Sequence, residues 1–322
     1  GLFKGLSDIG GGTSQQLADS LGLNERWVRE WLQHQACVNQ IEYEEETQRF
    51  SISPEAAAVL VDEDSPAYLM GAYHSALAVF PAAEKLEDAF RSGIGMTYDE
   101  HGSSCACGME KMGAYTKKHR LVQEILPLVP GLVERLSQGI KVADVGCGGA
   151  LSTVVMAKAF PSSTFVGYDT SEHALALARK NIEEMGVQNV TVANPSAQPL
   201  PSDSTLDFVT TFDVVHDTPY PDQMIQDIYG ALATGGQWLC EDIKGLNSFE
   251  ENLREHPMAA MLYGFSITIC MSSGLSTADG AGLGTLGFTE ALAEKMMTNA
   301  GFAEFANLEV DTPLNNYYLA TK

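Results

Sequence analysis

Basic residues are scarce in this chain. Lysine and arginine total 19 against 42 aspartates and glutamates, a formal net charge of −23. That balance argues against a nucleic-acid binder, which needs a basic footprint to neutralise phosphates. It fits strong colloidal solubility or a high-salt setting. Cysteine is also sparse. Cys37, Cys105, Cys107, Cys147, Cys240 and Cys270 lie scattered, with no disulfide framework, which fits a reducing, cytoplasmic compartment. No signal-peptide pattern is visible. Long uncharged runs are rare. Residues 257–278 are long enough to cross a bilayer, but Ser266, Thr268, Ser272, Ser273, Ser276 and Thr277 interrupt them and no basic cluster flanks them. The stretch reads as a buried lid over a small-molecule pocket, not a membrane span. A length of 322 residues predicts one large domain and one small one.

The first seventy residues predict a winged helix. Thr13-Ser-Gln-Gln16 is a capping-box pattern ahead of Leu17, Ala18 and Leu21, and Gly22 ends that helix. Asn24 can cap the next, with Trp27, Val28, Trp31 and Leu32 as its apolar stripe. Strands are predicted over 38–43 and 49–52, around the acidic turn Glu44-Glu45-Glu46. Residues 1–70 hold four basic and twelve acidic side chains. The layout therefore predicts a dimerisation or substrate-covering module instead of a DNA reader. A mostly helical stretch follows over 71–120 and reads as a linker.

From residue 121 the pattern alternates strand and helix. Strands are predicted over 141–145, 164–169, 190–193, 207–212 and 237–241, with a closing hairpin over 303–310 and 316–320. This is an α/β, doubly wound sheet. The first strand runs into Val142-Ala-Asp-Val-Gly-Cys-Gly148, and the second ends on Asp169. A glycine turn lets a backbone approach a nucleoside-bearing cofactor, and the acid grips ribose hydroxyls. A dinucleotide fingerprint wants a third glycine where Leu151 stands, and Asp144 would repel a pyrophosphate while suiting a cationic ligand. The Asp-x-Gly-x-Gly run resembles motif I of the Rossmann-like S-adenosylmethionine methyltransferases, with Ala150 where many members have a last glycine.

The resemblance extends over nearly the whole chain. Arg29-Glu-Trp-Leu32, Asp64-Ser-Pro-Ala-Tyr68, the glycine turn, Phe165-Val-Gly-Tyr-Asp169, Thr210-Thr-Phe-Asp213 with His216-Asp217, and Leu283-Gly284 are similar to class I methyltransferases that carry an N-terminal winged helix and are often labelled transcriptional regulators. The resemblance implies a seven-stranded sheet with an antiparallel last strand over 121–322, a lid insertion near 245–287, and a homodimer through residues 1–70. It implies S-adenosylmethionine as cofactor, held by Asp144, Gly146, Gly148, Asp169, Thr170, Ser196, Ala197, Phe212 and Asp213. Ser196-Ala197 stands where many members have Asp-Ala at the adenine.

The expected activity is methyl transfer to an O, N or S nucleophile of a small molecule, with no metal, nucleic acid or membrane involved. Methyl transfer needs the nucleophile close and its proton removed. His216 follows the fourth strand at the sheet's ligand-binding edge and is the first candidate base, with Asp217 to orient it; His101 is the second. Tyr98, Tyr115, Glu241 and Tyr263 are candidate acceptor contacts. The lid, with Met258, Met261, Tyr263, Phe265, Ile267 and Met271, is expected to supply adaptable apolar walls. His173 reads as a surface residue. Three alternatives stand beside this: a ligand-sensing transcription regulator, a catalytically idle cofactor-binding subunit, and an arsenite-type enzyme prompted by Cys105-Ala-Cys107.

Overall fold

A computed structural model describes residues 1–322, which divide into two compact units. One comprises residues 1–73 with 111–116, the other 74–110 with 117–322.

In the first unit, helices Leu2–Asp8, Ser14–Leu21 and Glu25–Cys37 precede a short hairpin, β1 (Glu42–Glu44) and β2 (Arg49–Ser51), and helix Pro54–Leu60. Local chemistry sets the boundaries. Thr13 and Gln16 form the reciprocal capping box, Gly22 closes the helix at φ +64°, and Asn24 accepts the Arg26 N–H. Leu6, Leu17, Val28, Leu32, Ile41 and Phe50 make the core. Two expectations need correction. The first strand begins at Glu42, because the preceding helix runs to Cys37 and Asn39 then turns at φ +58°. Trp27 is 80% exposed, because its Cα lies one helical step off the Val28–Leu32 line that meets the core.

The second unit holds a seven-stranded sheet. Its strands are β3 (Lys141–Val145), β4 (Thr164–Tyr168), β5 (Val190–Ala193), β6 (Leu206–Phe212), β7 (Leu232–Ile243), β8 (Glu304–Leu308) and β9 (Asn315–Thr321). Their spatial order is β5-β4-β3-β6-β7-β9-β8, with β9 antiparallel to both neighbours and β3 to β7 parallel. Successive residues serve opposite faces, and both faces are apolar because helices cover both. Val209 and Trp238 join one core while Phe208 and Leu239 join the other. β7 starts five residues earlier than expected and shifts register against β6 near the Gly235-Gly236 pair.

The uncharged stretch after β7 folds as broken helix: Ala259–Phe265, a π turn Ser266–Cys270, and Met271–Gly274. No helix is long and apolar enough to cross a membrane. Several polar groups of this stretch bond within the fold. Ser266 Oγ accepts the Thr285 N–H, Ser272 Oγ accepts the Met96 N–H, and Thr268 donates to Gly264 O. Leu262, Ile269 and Cys270 are buried whereas Met261 and Ile267 are exposed, so those two supply no inner wall.

Candidate active site

The glycine turn after β3 is shaped by positive φ at Gly146 (+71°), Gly148 (+55°) and Ala150 (+58°). Gly146 and Cys147 donate their N–H groups to Tyr168 O, locking the turn onto the end of β4. A Cβ at Gly146 would collide with Val214, whereas one at Gly148 meets nothing within 4 Å. The backbone at Gly148 therefore faces open space. Asp169, at the end of β4, accepts the Gly148 N–H through Oδ2 and the Ser171 N–H through Oδ1, both at 2.8 Å. Each oxygen keeps a second lone pair for a ligand donor. Burial raises this carboxyl above the usual range despite those two hydrogen bonds.

Asp144 behaves differently from expectation. It is fully buried and accepts hydroxyl hydrogen bonds from Ser152 (2.8 Å), Thr153 (2.5 Å) and Thr210 (2.9 Å). Its Oδ2 accepts two of these bonds and its Oδ1 one, and together they tie β3 to β6 and to helix Leu151–Ala159. Thr170 is exposed beside Asp169, and its carbonyl accepts from Asn194 Nδ2. Ser196 and Ala197 sit in the exposed turn after β5, where Asn194 accepts both of their N–H groups. The Ala197 N–H is thus engaged within the turn.

The segment Tyr98–His101 lies against this edge. Asp99 Oδ1 accepts from Ser171 Oγ (2.8 Å) and from the His173 N–H (3.3 Å), pinning the segment to the start of helix Glu172–Met185. Helix Gly102–His119 follows; its Glu110 packs on Gly149 and accepts from Asn181 Nδ2. Burial pushes the Tyr98 hydroxyl well up, reinforced by Cys105, Asp217, Cys270 and Asp169 around it. His101 is 6% exposed, its Nδ1 has no partner, and Nε2 lies 3.4 Å from Ser273 Oγ. Burial lowers its pKa, which favours the neutral ring. Burial also pushes the Cys105 thiol up to about 12.

His216 is buried after β6, and its Nδ1 lies 2.6 Å from Asp242 Oδ1 on β7. Asp242 also accepts the N–H groups of Val215 (3.1 Å) and Ile243 (2.8 Å). Asp242, not Asp217, therefore orients the ring. Burial works against the imidazolium charge, but Asp242 and the Cys270 sulfur outweigh it and hold the histidine pKa well above its usual value. Asp217 lies near the ring in a cluster with Cys270, and burial pushes its carboxyl up to about 7.

Other candidates are placed elsewhere. Glu241 is 4% exposed and pairs with Lys117 Nζ at 2.6 Å, with the ammonium 3.6 Å from the Phe212 ring centroid. Glu241 and Phe212 thus both meet the buried Lys117 ammonium. Asp213, in left-handed conformation at φ +58°, accepts from Asn315 Nδ2 at 2.7 Å. Tyr263 contacts Asn252 and Phe249 within the helical segment after β7. Tyr115 belongs to the first compact unit.

Family models match at both ends of the chain. One described as a methyltransferase domain covers residues 136–301, and one described as an Rv2258c-like winged helix-turn-helix domain covers residues 1–62. The chain belongs to the methyltransferase-domain family. It is 33% identical over 110 residues to a demethylmenaquinone methyltransferase of Listeria welshimeri, covering 34% of this chain and 47% of the relative. It is 32% identical over 120 residues to a trans-aconitate 2-methyltransferase of Variovorax paradoxus, covering 37% and 43% respectively. The chain thus spans about half the length of the curated relatives it matches. In fold it resembles human N-acetylserotonin methyltransferase, solved with S-adenosylmethionine, at TM-score 0.69 and 15% identity over 100% of this chain and 90% of that one. It also resembles an O-methyltransferase-family protein of Burkholderia thailandensis at TM-score 0.66 and 16% identity, covering 98% and 90%.

Sequence reasoning reads Glu241-Asp242 as paired acids at a strand end without linking Asp242 to the histidine, and it passes over Lys117 and Glu110. Asp242 was hidden by its neighbour Glu241, since two adjacent acids at a strand end point to opposite faces and the pattern alone does not say which face holds the histidine. Lys117 and Glu110 carry no local motif; only the path of helix Gly102–His119 brings them to the sheet edge.

Proposed function

We propose that this methyltransferase takes a methyl group from S-adenosylmethionine and gives it to an oxygen, nitrogen or sulfur nucleophile of a small molecule. The observation that carries the reading is the juxtaposition of two strand ends. Asp169 braces a glycine turn whose Gly148 backbone faces open space, and a buried His216–Asp242 pair stands at the neighbouring strand end. These residues fit the cofactor. Open backbone at Gly148 admits a ligand that a side chain would displace, and the acids lining this edge suit a cation. Bound there, S-adenosylmethionine supplies an electrophilic methyl on positively charged sulfur. The spare lone pairs of Asp169 accept from the ribose hydroxyls. Thr170 and the Ser196-Ala197 turn, linked through Asn194, form the adenosine side.

His216, with Nδ1 held by Asp242, presents Nε2 to the acceptor; because Asp242 favours the charged ring, the base is the fraction that has shed its own Nε2 proton, and turnover should rise with pH. Tyr98 and the unpartnered His101 Nδ1 position the acceptor, and the lid around Ile269 and Cys270 excludes water. The first unit serves as a dimerisation module, and the enzyme works in the cytoplasm. A regulator that binds duplex DNA is the second reading. Arg26 and Arg29 argue against it, because each is ion-paired within its own helix, to Glu30 and Glu25.

Incubation of small-molecule pools with methyl-labelled S-adenosylmethionine tests the proposal. A labelled product that disappears in His216→Ala is expected. Cofactor binding with no labelled product, together with specific DNA capture, supports the regulator.

A further inference from the structure

We infer that His216, Asp217 and Cys270 form a binding site for a thiophilic divalent cation, with Zn²⁺ as the ion that suits the donors. One nitrogen, one carboxylate oxygen and one sulfur lie within 4.8 Å of one another. They come from chain segments far apart in sequence, the loop after β6 and the π turn of the lid. His216 and Cys270 are 3% and 7% exposed. The imidazole is prepared for a metal. Asp242 Oδ1 occupies Nδ1 at 2.6 Å, and Asp242 is itself fixed by two backbone N–H groups. That leaves Nε2 as the donor, in the carboxylate–histidine arrangement that orients zinc-bound imidazoles.

The donor chemistry selects the ion. Imidazole, thiolate and carboxylate are all zinc ligands, and three protein ligands leave one position for water or a ligand. Calcium and magnesium, which take oxygen ligands, find one carboxylate here. Zinc–ligand bonds of about 2.0–2.3 Å place tetrahedral donors roughly 3.3–3.8 Å apart, so the cluster must draw in by about 1 Å. Side-chain rotation of Asp217 and Cys270 supplies that movement. On binding, the Cys270 thiol and the His216 Nε2–H each give a proton to solvent, and the thiolate and the neutral imidazole join the metal, so zinc binding weakens as pH falls.

The site has a consequence for the proposed base, and this consequence rests on the methyl-transfer reading. A metal on Nε2 takes the nitrogen that would receive the acceptor's proton. Zinc binding and methyl transfer are then mutually exclusive.

The test uses the full chain, stripped with chelator and dialysed. Zn²⁺ is titrated by calorimetry, bound metal is counted by elemental analysis, and Co²⁺ is added as a spectroscopic probe. One equivalent of zinc and a cobalt–thiolate charge-transfer band are expected. Cys270→Ser should abolish the band and weaken zinc at least 100-fold. Asp242→Asn should weaken zinc about 10- to 100-fold and keep the band. Cys37→Ser, at an exposed thiol, should change neither. Failure to bind one equivalent overturns the site, as does zinc affinity unchanged in Cys270→Ser. Should Cys270→Ser fail to fold, Asp217→Asn serves the same role, and unaltered zinc affinity there overturns the site equally. Zinc binding in a protein that does not bind S-adenosylmethionine leaves the metal site standing and removes only the methyl-transfer reading.

Discussion

His216 meets two opposing demands: burial disfavours its charge, while Asp242 at 2.6 Å favours it. The contact to Asp242 fixes which nitrogen works, so removing the ring should affect chemistry more than binding. His216→Ala is expected to cut turnover about 100-fold or more while S-adenosylmethionine affinity stays within a few-fold. Steady-state rates beside calorimetry on the same variant check this, and retained turnover makes the histidine structural. Asp213 offers a pH test. Burial, with Glu241 and Asp242 nearby, pushes its carboxyl up to about 8 from an ordinary 3.8. The unfolded chain loses this proton near pH 4 and the folded chain keeps it until about 8. The folded state therefore binds more protons across that window, and this group's contribution to stability falls as pH rises through it. Asp213→Asn removes the titration and suits the left-handed backbone at that position. The melting temperature of Asp213→Asn relative to the parent should rise steadily between pH 4 and 8. A pH-independent difference contradicts the assignment.

At the scale of elements, the glycine turn separates packing from binding. Gly146 and Gly148 both have positive φ, but only Gly146 has a neighbour, Val214, in the way of a Cβ. Gly148→Ala should cost about 1–2 kcal/mol of stability through backbone strain alone. It should also lose S-adenosylmethionine affinity, because the new methyl fills the open side. Gly146→Ala should destabilise more, since strain and collision add. Melting curves and cofactor titrations of the two variants check the order, and equal losses of stability contradict it. The strands of this sheet were legible because they are short apolar runs bounded by glycine or acid. β3 and β5 match their predicted bounds residue for residue. The orientation of particular side chains was not legible. Asp144 lies next to the end of the predicted strand, yet three hydroxyls from other elements turn it inward. Glu241 and Asp242 differ by one residue, and the pleat sends the first to Lys117 and the second to His216. The wing strands shifted because helix Glu25–Cys37 runs to Cys37 and Asn39 then turns, which an apolar Val38 did not announce.

For the whole molecule, a net charge of −23 sets what the protein can approach. Phosphate backbones are repelled at long range, and the two arginines of helix Glu25–Cys37 are spent on neighbouring glutamates. Duplex DNA should show no specific binding at physiological salt. Anisotropy that saturates near nanomolar protein and collapses with added salt would reverse this. The acidic edge suits a cationic cofactor, and the family assignment agrees with it. Calorimetric titration with S-adenosylmethionine, on the parent and on Asp169→Ala, tests that claim most directly. One equivalent should bind per chain, and the variant should lose the ribose contacts, about 2 kcal/mol or roughly 30-fold in affinity. Unchanged affinity in Asp169→Ala, or preferential binding of a nicotinamide dinucleotide by the parent, contradicts the account.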